Sequence, residues 1–428
     1  MKNKILNIFL NICSLILIAG MVLTVAYLTR LLTGNPKGID TYAYLTKIRL
    51  TLQHFPHINW NPYWDSGTPF FIWSYPPLSM VLVAAMVKIL SITPGQGLTI
   101  MAASSFILLG WGIYYFICQI TKNRLVALLT ILVLVSSPAS WSWWNGGNYV
   151  RVFGLGMMSL ALFLGVRYLE TIVLNQRLKS AYILAVLGFG LALMSHLLLG
   201  GVSFVLIFLF FFFTNLSWRK KIAEFLKLFL PSFALAAYWY LPLFLTGKPA
   251  SRFVGRDPAF PISWKNFLRP TPGEENFSLS TNVIAFLAIG LTLFLIIFLF
   301  RKLKINRFQK GVVLAWFIAV FVGFLYNTIG HLPIYPETWY IIGFPPITAF
   351  SMFGIITVIF GGLILGIAVK GIRNVLGSLI VIGALGGAAL GIWYDLPGLR
   401  GGVDDVLIPG SLQSLNQQAV SVKYSLNY

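Results

Sequence analysis

Apolar runs of about 18 to 25 residues recur along the chain, separated by short polar breaks, and each is long enough to cross roughly 30 Å of hydrocarbon as a helix. None alternates apolar with polar positions, so the runs predict helices, which satisfy their own backbone hydrogen bonds, and not barrel strands. The first extends from Ile5 to about Thr29. It is too long for the apolar core of a signal peptide and lacks a small-x-small cleavage site, so it reads as a retained first helix. Beyond it, Thr41 to Leu52 carries Tyr44, Leu45, Ile48 and Leu52 at helical spacing, the pattern of an amphipathic helix lying on the membrane surface.

Three apolar segments follow, near residues 77–95, 98–118 and 124–141. An even number of them must cross. Either the segment opening at Pro76-Pro77 dips in without crossing or the third is a short re-entrant piece, giving about eleven or twelve crossings in all. The expected fold class is an all-α polytopic membrane protein.

Composition agrees. Of 428 residues 58% are hydrophobic and 10% charged, where a soluble surface needs about 25% charged. A formal net charge of +20 would suggest nucleic acid in a soluble chain. Here the basic residues gather between spans, at Arg167 to Lys179, Arg219-Lys220-Lys221, Arg301 to Lys310, and Lys370 with Arg373. That is the pattern of cytoplasmic loops facing anionic lipid, and no nucleic-acid partner is expected. Cys13 and Cys118 both fall within apolar runs and form no disulfide framework or metal motif.

This topology puts the N-terminus in the cytoplasm and the tail outside. Only Glu170 and Glu224 among the acids are then cytoplasmic, whereas Asp40, Asp65, Asp257, Glu274, Glu275, Glu337, Asp395, Asp404 and Asp405 are external, as are His54, His57, His196 and His331. Acid–base chemistry is expected on the external side. Residues 1–395 form the transmembrane domain, with the first external loop at 38–78. Residues 396–428 are polar, rich in Gly and Pro, and too few for a core of their own, which suits an external cap or the stump of a longer domain.

Asp40, in Gly38-Ile39-Asp40-Thr41, is the sharpest candidate. It can cap the helix that follows or act as a general base at the bilayer lip. Behind it, Trp60-Asn61-Pro62-Tyr63-Trp64-Asp65-Ser66-Gly67-Thr68-Pro69 and Tyr75-Pro76-Pro77-Leu78 fit either an aromatic interfacial belt or an ordered, bent path. Trp141 to Arg151 holds a second such patch, where Gly146-Gly147 permits close approach and Arg151 can meet a phosphate. Arg252, Arg256, Lys265 and Arg269 lie externally against the positive-inside trend, so they need headgroups or a phosphate-bearing substrate as partner. His196 ends an apolar helix, and Glu337 opens another, where the helix dipole is its simplest partner. His54 and His57 lack further ligands at metal spacing.

The order Gly-x-Asp, amphipathic helix, Trp-x-Pro, Gly-x-Pro and Tyr-Pro-Pro-Leu resembles the GT-C superfamily of multi-span glycosyltransferases, and most closely the prokaryotic membrane group labelled "6-pyruvoyl-tetrahydropterin synthase-related", a label that need not denote pterin chemistry. The resemblance implies a GT-C-like bundle with a long first external loop carrying amphipathic helices. It also implies a polyprenyl-phosphate sugar donor, an extracytoplasmic glycan, lipid or protein acceptor, and surrounding membrane lipids. Asp40, with Asp65 or Glu337, would be catalytic. Arg151, Arg252, Arg256, Lys265, Arg269, His196 and Tyr75 would hold substrate or its phosphate.

One departure is plain: several members carry a second acidic motif in the next external loop, and Trp141 to Arg151 contains no Asp or Glu. This disfavours a metal-dependent mechanism. No cofactor is expected, and a divalent metal stays open. Two other readings remain, a non-catalytic scaffold of the same fold and a lipid or solute transporter. The transporter would need charge deep within spans, for which Lys88 is the clear candidate.

Overall fold

The computed structural model describes residues 2–28, 31–32, 36, 41–55, 60–61, 68–69, 77–136, 141, 144, 147–176 and 178–245, with 308–309, 311–318, 359, 362–363 and 366. These are helical apart from turns and one antiparallel ladder of two residues a side, β1 (Trp60–Asn61) with β2 (Thr68–Pro69), in the register Trp60 to Pro69. The helices are α1 (Lys2–Leu28), α2 (Thr41–His54), α3 (Leu78–Leu90), α4 (Pro94–Thr121), α5 (Arg124–Ser136), α6 (Tyr149–Val173), α7 (Lys179–Ser195), α8 (Leu197–Phe212) and α9 (Trp218–Leu245). Four are long and apolar enough to cross a membrane: α1 from Ile8, α4, α6, and α9 as far as Leu241. The protein is a multi-pass membrane protein.

The core of the bundle is the crossing of α4 and α6. Apolar side chains gain little by leaving lipid for protein, so helices associate through close packing of small residues. Gly112 of α4 faces Ser159 of α6, where an added Cβ would lie 2.7 Å from the Ser159 carbonyl carbon, and Gly156 likewise meets Ser105 O at 2.7 Å. The Ser159 hydroxyl donates to Leu108 O at 3.1 Å. Against this pair α1 runs antiparallel to α4: Trp111 Nε1 donates to Leu15 O (3.0 Å), Tyr114 donates to Ser14 Oγ (3.0 Å), and Gly110 meets Ile18.

The packing of α4 bears on the parity question. The 13 residues of α3 span about 20 Å at 1.5 Å per residue, as do those of α5, so length does not distinguish them. Ser91 then takes a left-handed conformation (φ 53°), and Thr93 caps α4 in a capping box with Gln96, Pro94 standing at the first turn. The start of α4 rests on Pro36, at 2.9 Å from an added Gly95 Cβ, just past the end of α1. So α3 begins and ends at one side, and α4 crosses back. Lys88 lies exposed in the last turn of α3, at a helix end and not within one of the four long apolar helices.

α2 corrects an expectation. Tyr44 and Ile48 are buried within the protein and Leu45 packs against the core, leaving only Leu52 of the four exposed. The helix docks on α3 and α4, so its Tyr44–Ile48 face meets protein. The described basic residues Lys122, Arg124, Lys179, Arg219 and Lys220 gather at the opposite end of the bundle, where Lys122 pairs with Glu170 at 3.4 Å.

Candidate functional site

At the α2 end, three sequence-distant pieces converge. Tyr44 of α2 meets Tyr149, the first residue of α6, edge-on, with centroids 6.3 Å apart and planes at 85°. The chain enters α6 through a tight turn in which Gly147 N–H donates to Trp144 O at 3.0 Å and Tyr149 N–H donates to Gly147 O at 2.9 Å. Gly147 has φ 82°, a conformation that any β-carbon would strain, so the glycine is needed here.

The turn is anchored from behind. Trp141 and Trp144 are buried and stack on Phe106 of α4 at 4.4 and 5.6 Å, and Trp141 Nε1 donates to Val135 O. These two tryptophans are core residues and not a headgroup belt. Both ends of the segment are thereby fixed, and Arg151 projects from the first turn of α6.

Gly154, one turn on from Arg151, shares its face. His196 packs into the space that the missing side chain leaves: a Cβ on Gly154 would stand 2.7 Å from His196 Cβ and 2.8 Å from Leu199 Cδ1. His196 is the single residue between α7 and α8. It is extended (φ −161°, ψ 119°), donates its N–H to Ala192 O at 3.1 Å and accepts from Gly200 N–H at 2.9 Å. Gly200 lies against Leu193 so the helices can fold back as a hairpin, and Tyr240 of α9 donates to Leu193 O at 2.6 Å. Burial, with the Arg151 guanidinium second, pushes the pKa of His196 down to about 3. The imidazole is neutral at pH 7, beside a permanent cation.

Of the residues singled out in the sequence, the fold brings Arg151 and His196 together. Asp40, Asp65, Tyr75, Arg252, Arg256, Lys265, Arg269 and Glu337 lie outside the described residues, although Asp40 directly precedes Thr41, which is buried at the start of α2. One contributor was missed. Gly154 seats the histidine, a role signalled only by its spacing of three from Arg151. On α2, Lys47 is 9% exposed, burial that the surface-helix expectation concealed. Among the described residues no three His, Cys, Asp or Glu side chains come together.

No family model and no curated protein matches the sequence. Solved structures do. The oligosaccharyltransferase of Archaeoglobus fulgidus in its apo form superposes with a TM-score of 0.51 at 16% identity over 91% of this chain and 55% of its own. The AglB oligosaccharyltransferase from Archaeoglobus fulgidus, in complex with an inhibitory peptide and a dolichol-phosphate, gives 0.54 at 16% identity over 92% of this chain and 56% of its own.

The fold is GT-C-like. The chain spans a little over half the length of those two oligosaccharyltransferase chains. ArnT from Cupriavidus metallidurans bound to undecaprenyl phosphate matches more loosely, with a TM-score of 0.38 at 15% identity over 83% of this chain and 78% of its own. Within this GT-C-like bundle, a guanidinium and a neutral imidazole sit at the end where α2 meets α6. Such a pair can bind a phosphate through the planar guanidinium fork while the imidazole both donates and accepts a proton.

Proposed function

We propose that the protein is a membrane glycosyltransferase that moves a sugar from a polyprenyl-phosphate donor to an extracytoplasmic acceptor, a glycan, lipid or protein, with its site at the α2 end of the bundle. The observation that carries the reading is the contact of Tyr44 with Tyr149. It draws the start of α2, the residue after Asp40, to the turn of α6 that bears Arg151. The GT-C-like fold supports the same class, and the dolichol-phosphate held by the archaeal neighbour supports a lipid-phosphate donor. The finer kinship, with the group labelled "6-pyruvoyl-tetrahydropterin synthase-related", is part of this proposal. So are a cytoplasmic N-terminus, an external α2 end and the division at residue 395.

In the proposed reaction the acceptor hydroxyl or amide attacks the anomeric carbon as its proton passes to Asp40. The bond from that carbon to the phosphate oxygen breaks, and polyprenyl phosphate departs with the electron pair, inverting the anomeric centre. Charge grows on the leaving phosphate, where Arg151, with Arg252, Arg256, Lys265 and Arg269 as further cations, stabilises it. Asp65 and Glu337 are the other acids available to assist.

Transfer from a synthetic polyprenyl-phosphate sugar, measured with the full chain in proteoliposomes, tests this. Asp40→Asn is expected to lose about 100-fold to 10,000-fold. If Asp40→Asn, Asp65→Asn and Glu337→Gln all retained full transfer, the reading would fail.

A further inference from the structure

A second polar site lies at the other end of the bundle. Tyr168 and Thr171 of α6, the first turns of α7 and the first turns of α9 enclose a cavity of about 210 Å³ whose charged lining is Lys179, Lys220, Glu224 and Lys227. From Arg151 to Thr171 the α6 axis advances about 30 Å at 1.5 Å per residue, so this cavity and the Arg151–His196 site stand at opposite faces of the membrane.

The lone acid is already engaged. Glu224 accepts from Lys227 Nζ at 2.9 Å through one oxygen and from the Tyr168 hydroxyl at 2.8 Å through the other. Among the described residues no carboxylate pairs with Lys179 or Lys220. Lys179 is exposed at the mouth and Lys220 half-buried beside it. α7 and α9 also begin here, so the positive ends of two helix dipoles add to the lysines. The cavity therefore suits an anion, and a phosphate group is the anion that ammonium donors at a helix start hold best.

Leu178 lines the cavity and is exposed, and the cavity lies at a bundle end, where basic side chains meet lipid headgroups. A free phosphate gains nothing from an exposed apolar side chain there, whereas a phospholipid can lay an acyl chain against it. We propose that this cavity binds the headgroup of an anionic phospholipid, in the leaflet opposite the Arg151–His196 site. The inference does not rest on the glycosyltransferase reading.

The test uses the full chain purified in neutral detergent, following thermal unfolding and native-mass adducts with phosphatidylglycerol, phosphatidylcholine or inorganic phosphate. Phosphatidylglycerol is expected to bind and to raise the midpoint, and phosphatidylcholine is not. Lys179→Gln with Lys220→Gln should weaken phosphatidylglycerol binding about 30-fold, about fivefold per lysine. Arg219→Gln with Lys221→Gln, an equal loss of charge outside the cavity, should keep the wild-type response. Equal losses in the two double variants would overturn the site, as would equal protection by phosphatidylcholine. Inorganic phosphate protecting as well as the lipid at the same concentration would overturn the lipid assignment.

Discussion

His196 rests on Gly154, and a β-carbon there would stand 2.7 Å from His196 Cβ. A β-carbon is bonded directly to the backbone, so it cannot swing aside as the end of a long side chain does. Gly154→Ala would gain about 1 kcal/mol of helix propensity in isolation. In the bundle it must push the α7–α8 hairpin off α6, at a cost of typically about 1–3 kcal/mol. The expected result is a lower thermal midpoint in detergent, with Gly20→Ala, whose added β-carbon meets nothing within 4 Å, as the neutral control.

The histidine also makes stability depend on pH. Its folded pKa of about 3 lies below the unfolded value near 6.5, so between those values the unfolded chain binds more protons and stability rises with pH. The contribution is complete above about pH 6.5 and is lost as the pH falls. At pH 5 the loss is on the order of 2 kcal/mol relative to pH 7.5. Thermal unfolding of the wild type and of His196→Asn across this range should show a shallower pH dependence in the variant.

The tryptophans behind Gly147 separate a core role from an interfacial one. Trp141 is 1% exposed and stacks on Phe106 with planes at 13°. Trp141→Ala should therefore cost about 3–5 kcal/mol, where a surface tryptophan would change stability within about 0.5 kcal/mol. Trp141→Phe keeps the stacking and loses the hydrogen bond to Val135 O, which predicts about 1–2 kcal/mol. Denaturant titrations in micelles would rank the three proteins.

These cases show what the sequence could disclose. Helix type and approximate limits were legible, because length, polar breaks and basic clusters are local signals, but the segments read at 77–95 and 98–118 missed the start of α4, which the Thr93–Gln96 capping box with Pro94 sets. What was hidden is which apolar face meets protein and which meets lipid. Tyr44 and Ile48 read as lipid-facing because both environments select the same residue types. Gly112, Gly154 and Gly156 were illegible for a related reason: a glycine in a span reads as merely apolar until its partner is known. The candidate site was legible as residues, Arg151 and His196, but not as a pair, since 45 positions separate them in the chain.

Arg151 offers the most direct test of the proposed chemistry. A guanidinium can hold a phosphate by two parallel hydrogen bonds, which a lysine replaces with a single point charge. Hydrogen bonds to charged groups contribute about 1.5–3 kcal/mol, so Arg151→Gln should lower kcat/KM for a lipid-phosphate donor about 100-fold, and Arg151→Lys by less. The split between constants identifies the role. A rise in KM at constant kcat would mean that Arg151 only holds the donor, whereas an equal fall in kcat and kcat/KM would mean that it acts on the charge of the departing phosphate. The second outcome is expected, because that charge is small in the bound donor and grows as the glycosidic bond breaks. An unchanged thermal midpoint in both variants would show that the loss arises at the reacting phosphate and not from unfolding of the α6 turn.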